Sequence, residues 1–599
     1  MTENYDLFEH DVLVIGAGGA GLRAVISASQ AGLNVGLVCK SLLGKAHTVM
    51  AEGGVAGALG NLDKKDCWEV HFKDTMKGGQ FINNWRIVEI FAKEAPERVL
   101  ELEQWGAVFD RTPDGLILQR PFGGHTYRRL SHVGDRTGLE IIRTLQDKAV
   151  SCGIKTYMEV TFTRLLKDGD RVVGAIGYYR PSGKFIAIKA KAVVLATGGW
   201  GRMFKVTSNS WESTGDGVMM AYEAGAELLD MEMVQFHPTG MVWPPGVRGL
   251  LVTEGVRGDG GILRNSKGER FMFKPEYMPE MYRGQYAETE EEAHRWLEDK
   301  DNNRRPPELL PRDVVARSIY KEVLAGRGSE HGGVYLDITH RGADFIRRKL
   351  PSMYDQFYAL GGVDITKQPM EVYPTIHYTM GGIRTEPESC ATTVPGLYAA
   401  GEVAAGLHGA NRLGGNSLSD ILVFGRRAGD GAAEFAKAAS HGSLDERQIE
   451  EEMSLMLAPF TCEGKENPYR LTQELQEAMQ EGAMIARNEE GLSKCLQTIL
   501  SLQERAKNLH VDGAREYNPG WHTARDIRYM LKTSEVIVRC ALERKESRGA
   551  QWRTDYPDRD PEWGKKNLIA GKEGDQVKVS TRPMSEMPPE LAKLFEEGK

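Results

Sequence analysis

The patterned part of the chain begins with a short apolar run, DVLVI at residues 11 to 15, which stops at the glycine-rich GAGGAG. LRAVISASQAGL then spaces its apolar residues as a helix does, and VGLVC is an apolar stretch short enough for a buried strand. The order predicted is strand, turn, helix, strand. An apolar strand closing on glycine returns at AVVLATGG (192 to 199) and again at PGLYAAGE (395 to 402). Between them, from WPPG to about residue 365, the texture changes, so a first domain is expected to be interrupted by a second. Beyond residue 416, LTQELQEAMQEGAMIA, LSKCLQTILSLQERA and IRYMLKTSEVIVRCALERKE each carry an apolar stripe and predict antiparallel helices packed on one another. The organisation expected is a first domain over 1–245 and 366–425, an inserted domain over 246–365, a helical domain over 426–545 and a C-terminal domain over 546–599. Residues 287 to 305, AETEEEAHRWLEDKDNNRR, are dense enough in charge to read as a solvated helix or loop.

Size agrees with several cores, since 599 residues exceed what one hydrophobic core usually organises. With 41% hydrophobic and 27% charged residues, and no apolar run near the roughly 18 that would span a bilayer, any membrane connection is expected to run through partners. No signal or transit pattern is visible at the N-terminus, which favours the cytoplasm. The net charge of -8 argues against nucleic acid as a partner. Seven scattered cysteines make disulfides and zinc unexpected and exclude an iron-sulphur cluster held by this chain alone, and no metal site is expected.

Gly16, Gly18 and Gly21, with Ala17, Gly19 and Ala20 between them, form G-x-G-x-x-G between a strand and a helix. That arrangement lets backbone approach a pyrophosphate at a helix N-terminus. The second strand ends in Cys39, Lys40 and Ser41 where an NAD site would carry Asp or Glu, so a common NAD site is disfavoured. Lys40 reads either as a group near phosphate or as a surface lysine at a strand end. ATGG supports a flavin instead, because an ATG-type strand end in the second half of a chain recurs in FAD-binding members of this fold class, and AAGE adds a third such strand, with Glu402 able to accept from flavin or ribose hydroxyls.

These motifs, together with HTVMAEGG (47 to 54), RPFGG (120 to 124), DRTG (135 to 138), TGDG (214 to 217), QFHPTG (235 to 240), LVTEGVRGDGG (251 to 261), PRDVVARSI (311 to 319), PTIHYTMGG (374 to 382), HGANRLGGNSL (408 to 418) and SRGAQWRTDYPDRD (547 to 560), run in order along nearly the whole chain. In them the sequence closely resembles the flavoprotein subunits of succinate dehydrogenase and fumarate reductase. The resemblance implies an α/β fold: an FAD-binding Rossmann-like domain interrupted by a capping α+β domain, then a helical domain and a C-terminal tail domain. It implies FAD bound covalently through His47, which would raise the flavin potential. Thr48, Gly53 and Gly54 would lie close to the ring, and Asp216, Glu402, Arg412, Ser417 and Leu418 would make further FAD contacts. For Asp216 a second reading is a helix cap before VMMAYEAGAEL, and the two are compatible.

A site for succinate and fumarate needs cationic or strong donor groups at both ends of a four-carbon dianion. By resemblance these fall on His237, Thr253, His377 and Arg412. Hydride would pass to the flavin while Arg312 exchanges a proton with the neighbouring carbon. Because an arginine holds its proton tightly, with a pKa above about 12, a relay is expected, and Glu254 is the candidate. Phe122 reads as pressing on the substrate or as a core aromatic.

The stretch from 275 to 310 is longer than the family usually carries, and its role is open. Gln551 stands where many members have histidine, which puts a proton or electron role there in doubt. The activity implied is the catalytic flavoprotein of a succinate:quinone oxidoreductase. It would pass electrons to an iron-sulphur subunit, and through that reach membrane anchor subunits on the cytoplasmic side of a bacterial inner membrane. Quinol:fumarate reduction, or a soluble relative such as an L-aspartate oxidase, are the alternatives. A flavin-bearing protein without turnover would be expected to lose one of His237, Arg312, His377 or Arg412, and all four are present.

Overall fold

The computed structural model describes residues 4–596, so the first three positions of the expected 1–245 domain and the last three of 546–599 lie outside the described residues. The largest sheet has seven strands, in the order Lys155–Tyr157, Val35–Val38, Tyr5–Ile15, Phe185–Leu195, Arg171–Tyr179 and Val160–Asp168, with Leu397–Ala399 also paired to Phe185–Leu195. Arg171–Tyr179 pairs antiparallel with both of its neighbours, and the other pairs are parallel. Register sets Ile15 opposite Leu195 and Leu195 opposite Ala399. The three glycine-ended strands therefore finish side by side, which is where open α/β sheets bind ligands.

Helix Gly19–Gln30 follows the first of these turns, and helix Asn416–Ala438 packs across it at Gly425 and Gly429. A Cβ there would stand 2.7 and 2.4 Å from the backbone oxygens of Ala20 and Ala24, so glycine is what lets the two helices touch. This second helix is continuous through the expected 425/426 boundary and belongs with the first domain.

The sheet of the inserted domain runs Val234–Met241, Met370–Thr379, Val334–Asp337, Ile262–Arg264, all antiparallel. It hangs on two strands that the 246–365 span leaves out. Val234–Met241 is buried at every position, so it shows no alternation that would mark it as a half-exposed strand. The core of this domain gathers Val252, Leu263, Leu309, Val315, Leu336 and Phe357. Helices Glu446–Thr461, Pro468–Gly482, Glu489–Arg505 and Pro519–Glu543 share one core, including Met456, Leu475, Ile499 and Ile527, with Leu165 and Ile176 of the antiparallel strands. The tail forms a hairpin, Lys566–Glu573 with Gln576–Pro583, bonded to Leu228–Leu229 of the first domain. The charge-dense stretch holds helix Glu290–Glu298, which buries Ala293 and Trp296. Among the described residues no helix is long and apolar enough to cross a membrane.

Candidate functional site

A cleft open to solvent starts at the glycine turn and ends at His377 and Arg412. Gly16 turns at φ 112°, and a Cβ there would stand 2.2 Å from the Ala196 oxygen. Ala17, Gly18, Gly19, Ala20, Cys39, Ser41, Thr48, Asp216, Glu402, Ser417 and Leu418 line the cleft with it. Gly21 lies behind the turn: a Cβ would fall 1.8 Å from the Gly16 oxygen, so glycine lets the helix start directly on the loop. The Gly19 N–H donates to Thr48 Oγ1 at 3.3 Å.

Lys40 is not the surface lysine of the second reading: it lines the cleft, and its ammonium bonds Asp216 at 2.9 Å, Asp526 at 3.1 Å and Thr214 Oγ1 at 3.0 Å. Desolvation lowers the Lys40 pKa, yet the two carboxylates outweigh it and hold it above its ordinary value. Asp216 is the first residue of helix Asp216–Ala224, with Gly215 in the cap position and no side-chain cap bond, so the cap reading is corrected: its carboxylate serves Lys40. Lys40→Met would leave two buried carboxylates facing each other. It is expected to cost ~3–5 kcal/mol, seen as a fall of several degrees in Tm. An unchanged Tm would contradict this.

At the far end, His47 sits in a short 3-10 turn, with Nε2 3.4 Å from Asn209 Nδ2 and Nδ1 buried without a partner. Burial and then the Arg412 charge bring its pKa down to about 4, so at neutral pH the imidazole is uncharged. Arg412 donates Nη1 to Ser417 Oγ at 2.7 Å and lies 4.3 Å over the Tyr378 ring, while its Nε and Nη2 are buried and unpaired. Burial, then repulsion from Arg312, lowers the Arg412 pKa to about 9. Strand pairing brings His237 and His377 together, with ring centres 5.1 Å apart. His377 Nδ1 meets Ser208 Oγ at 2.9 Å, and His237 Nδ1 meets the Thr239 oxygen at 2.9 Å. Burial first, then the neighbouring guanidiniums, hold both rings well below the ordinary histidine range.

Arg312 begins helix Arg312–Glu322 and donates Nε to Glu254 Oε2 at 2.9 Å and Nη1 to Gln235 Oε1 at 3.3 Å. Gln235 Nε2 in turn donates to the Arg412 oxygen at 2.8 Å, so one amide ties the two arginines. Burial would raise the Glu254 pKa, but Arg312, Arg257 and the Gly123 N–H, 2.7 Å from Oε1, hold it below its ordinary value. Thr253 is buried and caps the helix that carries Glu254, accepting from the Gly255 N–H at 3.2 Å. Phe122 is buried, its ring against Gly53 and Gly414, and at Gly414 a Cβ would also stand 2.9 Å from Arg312 Nη2. Gly53 thus serves the ring of Phe122, while Gly54, at φ 129°, has a Cβ position 2.9 Å from the Ser131 oxygen. Glu52 is pushed well above the carboxylate range by burial and by Asp135, and its Oε2 is buried and unpaired.

Several residues escape the sequence reading. Gln235 and Arg257 lie inside QFHPTG and LVTEGVRGDGG without standing out there, and Ser208 and Asn209 carry no pattern at all. Gln551 is a structural tie: its amide donates to the Ala541 oxygen at 3.0 Å and accepts from Arg487.

The cleft fits a flavin dinucleotide. A glycine turn stands at one end, and Thr197 Oγ1, Glu212 Oε1, Asn209 Oδ1, His47 Nδ1 and Arg412 Nε and Nη2 are buried polar atoms without partners. The sequence matches the FAD binding domain family over residues 11–418 and the Fumarate reductase flavoprotein C-term family over 472–593. The chain belongs to the succinate dehydrogenase and fumarate reductase flavoprotein family. It is an FAD-dependent oxidoreductase of that family's fold. It is 44% identical to one chain of the fumarate reductase (CoM/CoB) of Methanothermobacter marburgensis, over 95% of this chain and 98% of that one. It is 37% identical to the succinate dehydrogenase flavoprotein subunit of Rickettsia bellii, covering 98% and 97%. Mycobacterium smegmatis Sdh1, solved in complex with UQ1, superposes with a TM-score of 0.86 at 52% identity, covering 99% and 97%.

Proposed function

We propose that this flavoprotein is the catalytic subunit of a succinate:quinone oxidoreductase, with FAD tethered through His47 and succinate and fumarate interconverted beside it. The observation that carries the reading is the nearness of two guanidiniums linked through Gln235: Arg412, which lines one end of the cleft with Nε and Nη2 buried and unpaired, and Arg312, already bonded to the carboxylate Glu254. A dicarboxylate supplies the anion that the first lacks. FAD, when bound, supplies a two-electron acceptor and donor.

The chain's own residues do the rest. Arg412 and His377 hold one carboxylate of the substrate, while His237 and Thr253 hold the other. Both histidines are kept neutral by burial and adjacent guanidiniums, so a bound dianion would draw protons onto them. Arg312 takes a proton from the substrate carbon at one guanidinium nitrogen as it releases one from Nε to Glu254, so it never stands deprotonated for long. Phe122 packs the wall opposite Gly414 and keeps water out. Lys40, Cys39, Ser41, Asp216, Glu402, Ser417 and Leu418 shape the cofactor end.

Electrons then pass to an iron-sulphur subunit, and from it to membrane anchor subunits on the cytoplasmic face, because this chain has no grouped thiolates of its own. A second reading, fumarate reduction as the working direction, is favoured by the 44% identity to a chain named fumarate reductase. The experiment is turnover by the FAD-loaded chain with an artificial electron acceptor. Succinate is expected to support it and propionate, with one carboxylate, to fall at least about 100-fold short, as a site built for two anions requires. Equal rates would overturn the reading.

A further inference from the structure

We propose that Arg305, in the long stretch 275 to 310, is a positioning residue for the dicarboxylate reaction: it straps the inserted domain to the turn 122 to 126 and so keeps the Gly123 N–H on Glu254. The inference rests on the roles proposed above for Arg312 and Glu254.

Two adjacent arginines divide the task. Arg304 folds the stretch onto itself, with Nε and Nη2 donating to Glu292 at 2.5 and 2.8 Å and Nη1 to Glu288 at 2.9 Å. Arg305 faces the other way. Its Nη1 donates to the His125 oxygen at 2.5 Å and reaches the Phe122 oxygen at 3.5 Å, and its Nη2 donates to the Thr126 oxygen at 3.0 Å. One guanidinium thus gathers three carbonyls of a single turn, and charge-assisted bonds of this kind are the strong ones. Arg305 is itself anchored: its oxygen accepts from the Ala287 N–H at 2.9 Å, and next to Ala287 the buried Tyr286 donates its hydroxyl to the Leu309 oxygen at 3.2 Å.

What the turn carries gives the strap its importance. Gly123 donates to Glu254 Oε1, and its Cβ position lies 2.8 Å from the Leu309 oxygen and 2.9 Å from Glu254 Oε1, so nothing larger than glycine fits between. Phe122, one residue earlier, abuts Gly414 beside Arg312. Releasing the three carbonyls would let both residues drift from the Glu254–Arg312 couple, and a misplacement of about 1 Å can cost about 10²-fold in rate. The stretch also meets the first domain through Tyr286 at Gly124, Tyr282 at Gln80, and Asp301, which pairs with Arg128 at 3.0 Å; Asp301 is 70% exposed and such pairs contribute little.

The test uses the FAD-loaded full chain. Arg305→Ala is expected to lower kcat/KM for succinate at least about tenfold, Arg305→Lys to recover part of the loss, and the surface control Asp301→Ala to stay within about twofold of the parent. Two readouts separate positioning from bulk destabilisation. Hydrogen exchange in the 122 to 126 turn should rise in Arg305→Ala without substrate present. The acid limb of the kcat/KM profile should also move to higher pH, since Glu254, faced by Arg312, Arg257, Arg412 and Tyr286, would lose a donor that favours its carboxylate. A fall in Tm with turn exchange and acid limb unchanged would overturn the proposal, as would unaltered kcat/KM. If even the parent chain fails to oxidise succinate, the proposed function falls, while turn exchange still decides whether Arg305 holds the turn.

Discussion

Arg312→Gln is expected to lower kcat for succinate oxidation about 10³-fold, within the range that removal of a general acid-base group produces. Glutamine keeps a polar side chain that can still meet Glu254, and it leaves Arg412, His237, His377 and Thr253 in place to hold the carboxylates. KM should therefore change little, and the FAD content should equal that of the parent. Loss of kcat without loss of binding is the signature of an interaction made in the transition state. Arg312→Lys keeps the charge but loses the planar fork that touches Glu254 and Gln235 together, so it should be nearly as impaired. Steady-state kinetics with an artificial acceptor, alongside the flavin-to-protein ratio, checks both variants. Normal turnover in either with intact FAD would remove Arg312 from the proton-transfer role.

His47→Ser is expected to change the chemistry of the cofactor more than its binding. The glycine turn and the cleft walls remain, so FAD should still load, yet acid precipitation should strip all of it from the variant and leave the parent yellow. The imidazole suits a tether because burial and Arg412 keep it neutral above a pKa of about 4, its Nε2 meeting the Asn209 amide at 3.4 Å. Without the electron-withdrawing bond the flavin potential should fall, and for a two-electron couple each 30 mV is about tenfold in the equilibrium. Succinate oxidation should thus drop at least about tenfold more than fumarate reduction. A parent that releases all its flavin on denaturation would contradict the tether, and equal losses in both directions would contradict its effect on potential.

Much of the nucleotide site is legible in the chain because it is built from local, directional signals. A strand, a glycine turn and a helix are contiguous, and the register that brings Ile15, Leu195 and Ala399 abreast follows from three strands each ending on glycine. The boundary of the inserted domain is less legible: Val234–Met241 belongs to its sheet, but Pro238 and Gly240 within it break any strand pattern in the sequence. The ion pairs of Lys40 are illegible for a related reason. Its partners Asp216 and Asp526 lie far along the chain, and an ion pair formed across the fold leaves no spacing to detect. The same holds for Gln235, whose position between Arg312 and Arg412 is set by the meeting of a strand, a helix start and a loop. Arg305 lies inside a stretch whose charge density suggests solvent, and it is the geometry of one side chain that sets it apart.

The measurement that bears most directly on this chemistry is anaerobic mixing of the FAD-loaded chain with succinate, followed by the visible absorbance of the flavin, in the parent and in Arg312→Gln. Succinate is expected to bleach the parent and fumarate to restore its colour, while the variant binds succinate but bleaches about 10³-fold more slowly. A parent that succinate leaves fully yellow, or a variant that bleaches as fast as the parent, would contradict the assigned chemistry.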